Sequence, residues 1–170
     1  MKELDYRGLE LCEFQAKLFE ASFDLNCSSK IFLRRFYYSD LLKSMDSENA
    51  FNISLEVTDG LKSLINQFGE FSYGKDKYPK ASLYWIGYMY RYIAYTREES
   101  TRFIMSLLPP DLLNRNYYAF HTQSPEWCVR SLLEIINQEE WILDKNMRLK
   151  YLIKENMQKE IAKNKNIVNK

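Results

Sequence analysis

The sequence predicts an all-α fold: a single-domain bundle of six or seven helices around one buried aromatic helix at about residues 80–95, with a basic C-terminal helix. Three observations lead there. Apolar residues recur at helical spacing through most of the chain. Glycine and proline number only 5 and 4, too few of the turn residues that an all-β chain needs. The run Tyr78 to Tyr95, YPKASLYWIGYMYRYIAY, is apolar on almost every side, as a helix surrounded by others must be. Gly87 sits in its middle, at a cost of about 1 kcal/mol relative to alanine, so close approach of a second helix is expected there. Arg91 lies in the same run. A buried guanidinium needs a carboxylate, carbonyls or an aromatic face, and Asp40, Asp46 and Asp59 are the candidate partners.

A chain of 170 residues can bury a sizeable core, and 46% hydrophobic with 15% aromatic residues excludes a disordered protein. The opening MKELDYRG is not a secretory signal, and no apolar run approaches the roughly 20 residues that span a bilayer. A soluble, cytoplasmic protein with no membrane partner is expected. Cys12, Cys27 and Cys128 are odd in number and far apart, and His121 is the only histidine. They read as buried thiols in a reducing compartment, not as a metal site. No cofactor is expected.

Lys2 to Leu25 reads as an amphipathic helix with Leu4, Leu11, Phe14, Leu18, Ser22 and Leu25 on one face. The Ser28–Ser29 pair offers an N-cap for a second helix over Lys30 to Met45, with Arg34 and Arg35 on its flank. Asp46 to Asn49 is a turn. The alternation FNISLEV at 51–57 could be a strand, but no second strand exists to pair with it, so a third helix with a ragged start is expected up to Phe68. Gly69 to Pro79 is the clearest loop and the expected exposed surface. After the aromatic helix, Thr96 and Glu99 have the spacing of a capping box and predict a helix to Leu108. Pro109–Pro110 stops it. A short helix follows over Asp111 to Ala119, and Ser124–Pro125 caps the last long helix.

The charge of the chain is uneven. From Lys145 to Lys170 there are eight Lys or Arg against Glu155 and Glu160, a net +6 that leaves −5 for residues 1–144 of a chain whose total is +1. The chain therefore reads as a helical domain over 1–144 and a basic helix or tail over 145–170. Lys145, Arg148, Lys150 and Lys154 would neutralise phosphates if the tail binds nucleic acid; otherwise it is a solvated helix.

There is no Gly-rich phosphate loop, no Ser/His/Asp order and no pair of metal ligands. One local pattern carries chemistry: Arg115, Asn116 and, six positions after the arginine, His121. This is similar to the signature of HEPN ribonucleases, which are all-helical. The similarity implies metal-independent RNA cleavage, with His121 moving the 2′-hydroxyl proton and Arg115 offsetting phosphate charge. It also implies a homodimer, because HEPN sites commonly form between protomers. The structural alternative is a closed turn in which His121 bonds backbone.

A wider resemblance rests on IFLRRFYYSDLLKSMD at 31–46, SLYWIGYMYRYIAYTREES at 82–100 and YYAFHTQSPEW at 117–127. These runs resemble a family of small helical bacterial proteins without an assigned activity, often encoded beside toxin-like partners. The resemblance covers about residues 28–135 and does not include Arg115. It implies a non-enzymatic interaction module, antitoxin-like or a phage-defence component, that binds and restrains a partner protein such as a nearby-encoded toxin. Arg91, Tyr88, Tyr95 and His121 are the binding residues expected under that reading.

Overall fold

The computed structural model of the chain describes residues 2–47 and 55–136. The chain separates into two units, Met1–Val129 and Arg130–Lys170, and of the second only residues 130–136 are described. The expected boundary at 144/145, the tail residues Lys145, Arg148, Lys150 and Lys154, and residues 51–54 of the ambiguous FNISLEV run lie outside the described residues.

Among the described residues every regular element is helical, and the all-α expectation holds. Helix α1 (Tyr6–Ala21) starts where the Asp5 carboxylate accepts from the Gly8 N–H at 2.8 Å, and it ends in a 3-10 turn over Ser22–Asp24. Helix α2 (Ser29–Tyr38) is capped by Ser28, whose hydroxyl accepts from the Ile31 N–H. The single helix expected over 30–45 is in fact two, because α3 (Asp40–Met45) starts afresh after Ser39. The Ser39 backbone is extended. Its hydroxyl donates to the Phe36 carbonyl at 2.8 Å and accepts from the Leu42 N–H at 3.0 Å, so one side chain closes one helix and opens the next.

Helix α4 (Val57–Phe68) ends at Gly69, whose φ of 74° favours glycine. Helix α5 (Lys80–Arg97) is the aromatic run, and it continues past Thr96. The Thr96–Glu99 capping box is not used. Thr96 is buried and donates back to the Tyr92 carbonyl, while Ser100 caps α6 (Thr101–Leu107) by accepting from the Phe103 N–H. The two prolines separate α6 from α7 (Pro110–Phe120), and Ser124 precedes α8 (Pro125–Ile135).

In the first unit α5 is central. Helix α1 runs antiparallel along it: the Lys2 N–H reaches the Thr96 carbonyl at one end, Phe19 lies beside Gly87 in the middle, and Lys80 meets Asp24, just past α1, at the other end. Helices α6 and α7 also contact α5, α4 contacts α1, and α2 and α3 contact α4. Phe19 sets its edge against both Phe32 and Phe36, with ring centres 5.5 and 4.8 Å apart, and all three are fully buried. Tyr90 is buried too, with its hydroxyl donating to the Leu108 carbonyl at 2.6 Å, which satisfies the one polar atom it takes into the core.

The segment Gly69 to Pro79 is irregular, as expected, but it is not simply exposed surface. Phe71 and Tyr78 are buried, Phe71 beside Phe32. The backbone N–H groups of Ser28 and Ser29 donate to the Tyr73 and Asp76 carbonyls, and Lys77 reaches the Phe23 and Leu25 carbonyls. The loop is fastened to the α1–α2 link by its own backbone.

The close approach expected at Gly87 is present. A Cβ there would lie 2.6 Å from the Gln15 carbonyl oxygen and 2.9 Å from the Ala16 Cα, both backbone atoms of α1. Gly87→Ala gains about 1 kcal/mol of helix propensity but must push the two helices apart, at a cost of about 1–3 kcal/mol. The expected outcome in chemical denaturation is a net loss of stability. A more stable Gly87→Ala protein would show that α1 does not touch α5 at this point.

Candidate interaction site

The four expected binding residues divide between two places on α5. Arg91 and Tyr95 line a cavity of about 530 Å³ with Lys2, Asp46, Glu98 and Ser100. Tyr88 and His121 line a groove of about 290 Å³ with Glu13, Tyr84, Trp85 and Gln123.

In the first place Arg91 is a structural group. It is 3% exposed, and its partner among the three candidates is Asp46, whose Oδ1 accepts from Nη1 at 2.9 Å. Nη1 also donates to the Met45 carbonyl, and Nε donates to Gln15 Oε1. Gln15 is itself fully buried and turns its amide N–H to the Gly87 carbonyl at 3.1 Å. Nη2 has no hydrogen-bond partner among the described residues. Burial pulls the Arg91 pKa down and the Asp46 carboxylate offsets part of that, so the guanidinium stays charged. Tyr95 donates to Asp5 at 2.6 Å and carries the Lys2 ammonium over its ring. Among the described lining residues three cations, Lys2, Arg7 and Arg91, face three carboxylates, Asp46, Glu98 and Glu99.

The groove is different. Tyr84, Tyr88 and Tyr92 follow one another at i, i+4 and i+8 on α5, and so form a row along one side of it. Tyr84 donates to Glu13 Oε2 at 2.9 Å, and Tyr92 donates to Glu126 Oε1 at 2.6 Å. Tyr88, between them, stacks on Tyr92 with ring centres 6.2 Å apart. Burial and the Glu13 hydrogen bond push the Tyr84 phenol up to about 12, and burial raises Tyr88 as well. Neither phenol exchanges a proton near neutral pH. Trp85 meets the Tyr117 ring edge-on, and Phe120 meets Trp127 in the same way. The outer partners in such contacts are exposed: Tyr118, against Tyr117, is 75% exposed and Trp127 is 42% exposed.

His121 is exposed at the end of α7, stacked on Tyr117, with Nδ1 3.0 Å from the Tyr117 carbonyl. A carbonyl only accepts, so Nδ1 carries the proton in that contact. Arg115 does not join it. Six residues of helix separate the two by about 600°, which leaves their side chains roughly 120° apart around α7. Arg115 is exposed and lowers the pKa of Asp111, one turn earlier, after the stronger effects of Tyr78 and Lys30. Asn116 donates to the Leu112 carbonyl within its own helix. Arg115, Asn116 and His121 therefore do not lie on one face of α7.

Two residues of this region escaped the sequence reading. Gln15 is a polar residue on the apolar side of α1, one turn from Leu11 and Leu18, and that position was the available signal. Glu13 had no local signal, because its partner Tyr84 lies 71 positions away. The cysteines offer no nucleophile: all three are buried and free, and burial pushes the Cys12 thiol up to about 12. Among the described residues no group of His, Cys, Asp and Glu could hold a metal ion, and no helix is long and apolar enough to cross a membrane.

The Tyr92 hydrogen bond holds the Glu126 carboxyl below the usual glutamate range. A depressed folded-state pKa stabilises the fold above the unfolded value, and that contribution is lost as pH falls through the folded value. Carboxyl NMR titration should therefore find the Glu126 midpoint below that of an ordinary glutamate, and Tyr92→Phe should move it upward. An unchanged midpoint in Tyr92→Phe would show that the bond is absent in solution.

No protein-family model, curated protein or solved structure matches the chain.

Proposed function

We propose that this chain is a non-enzymatic protein-interaction module that binds and restrains a partner protein, in the manner of an antitoxin-like or phage-defence component. One observation carries the reading: the exposed rings of Tyr118 and Trp127, which pack against Tyr117 and Phe120 on the helix that leads to the groove residue His121. Tyrosine and tryptophan are the side chains that most often anchor protein interfaces. They offer large apolar area at little entropic cost and keep a polar atom for a specific bond. The raised phenols, the buried thiols and the separation of Arg115 from His121 within one protomer leave this surface better suited to binding than to catalysis. A reducing cytoplasm suits three free cysteines.

The test is co-expression with the product of the neighbouring reading frame. The two proteins should co-elute, and Trp127→Ala and Tyr118→Ala should each weaken the complex by about tenfold while leaving the fold intact. Metal-independent RNA cleavage that disappears in both His121→Ala and Arg115→Ala would overturn the reading in favour of a HEPN-type nuclease assembled between protomers.

A further inference from the structure

The groove has a sign as well as a shape. Its walls are the rings of Tyr84, Trp85, Tyr88 and His121, and Glu13 lies on its lining. Glu126 holds the far end of the same tyrosine row through Tyr92, two helical turns or about 12 Å from Tyr84. Glu13 and Glu126 both act on the Tyr88 phenol and raise its pKa further, after burial and Cys12, and Glu20 acts in the same direction on Tyr84. Against these three carboxylates stand two cations, Lys17, 3.7 Å from Glu13 and well exposed, and Arg97, which interacts with Tyr92 at the other end of the row, so the described charge of the row is a net −1. Tyr84 and Tyr92 spend their hydroxyls on carboxylates, and the Tyr88 hydroxyl between them has no such bond among the described residues. The wider chain agrees in sign, since residues 1–144 carry a net −5.

Aromatic faces attract cations through their negative π-clouds, and carboxylates at the rim add to that attraction. An anionic ligand would be repelled by the like charges of Glu13 and Glu126. A neutral apolar ligand would leave them without compensation for the water it displaces. We propose that the groove receives a lysine or arginine side chain from a basic segment of the partner protein. The cation lies over Tyr84 and Tyr88 between Glu13 and Glu126, with the Tyr88 hydroxyl free to bond the partner's backbone. This deepens the interaction reading and rests on it, but it involves residues other than Tyr118 and Trp127.

The experiment titrates the full chain with two blocked peptides, acetyl-GRGRG-amide and acetyl-GEGEG-amide, and follows the tyrosine and tryptophan ring signals by NMR. The arginine peptide should shift Tyr84, Tyr88 and Trp85 saturably, and the glutamate peptide should not. Glu13→Gln keeps an oxygen that accepts from Tyr84 and removes only the charge, and Glu126→Gln does the same for Tyr92. Each should weaken arginine-peptide binding by roughly two- to fivefold, the usual strength of an exposed ion pair, and higher salt should weaken it further. Equal binding of both peptides, no saturable shift, or binding that neither substitution alters would overturn the inference. Those results would leave the interaction reading standing, because Trp127→Ala and Tyr118→Ala test it separately.

Discussion

The fold depends on how one buried charge is satisfied. A guanidinium in an apolar core is tolerated only where carboxylate and carbonyl groups replace the water it has lost. Arg91 meets that condition with Asp46, the Met45 carbonyl and Gln15, and each of these belongs to a different part of the chain from α5. Asp46 extends the connection, because its second oxygen also accepts from the Arg102 N–H at the start of α6. The end of α3, the middle of α1, α5 and the start of α6 are thereby held at one point. Gln15 closes the arrangement by bonding the Gly87 carbonyl, one turn before Arg91 and at the spot where a side chain on α5 would collide with α1. The glycine brings the helices close, and the amide and guanidinium fix their rotation.

That rotation decides what α5 offers elsewhere. With Gly87 and Arg91 committed to α1, the row Tyr84, Tyr88 and Tyr92 falls at its edge, where two of the three hydroxyls reach Glu13 and Glu126. The groove is thus a consequence of the buried network. Its carboxylates come from α1 and from the first turn of α8, elements brought there for packing. Trp85 and Tyr92 are buried while Tyr84 and Tyr88 are half-buried, which is how one helix can serve both as centre of the fold and as wall of a groove.

Much of this was legible in the residues, and the limits of legibility have physical causes. The apolar run around Gly87 announced the central helix and its close neighbour, because a helix without a polar face has few other stable positions. The burial of Arg91 followed from the same run, but its partner did not: Asp40, Asp46 and Asp59 are all charged and all distant in sequence, and only tertiary geometry separates them. Ser39 and Ser100 were missed as caps for a different reason. A serine within helical periodicity looks like a tolerated interior residue until its backbone is seen to be extended, and the Thr96–Glu99 spacing offered a competing start. In the candidate site, Arg91 and Tyr95 share a cavity as neighbours one turn apart on α5, whereas Tyr88 and His121 share a groove that no local pattern announces, since Tyr88 lies on α5 and His121 at the end of α7. The Arg115–His121 spacing has the opposite problem, being adjacent in sequence but on different sides of α7.

The most direct test of the central claim is a double-mutant cycle on Gln15 and Arg91, with Gln15→Met, Arg91→Met and the double variant compared by denaturant unfolding. Arg91→Met alone should cost about 3–5 kcal/mol, because it strands the Asp46 carboxylate. If the two side chains act as one bridge between α1 and α5, the costs should be non-additive by about 1–3 kcal/mol, with the double variant less damaged than the sum of the single ones. Costs that add to within about 0.5 kcal/mol would contradict the account and show that each residue is held independently of the other.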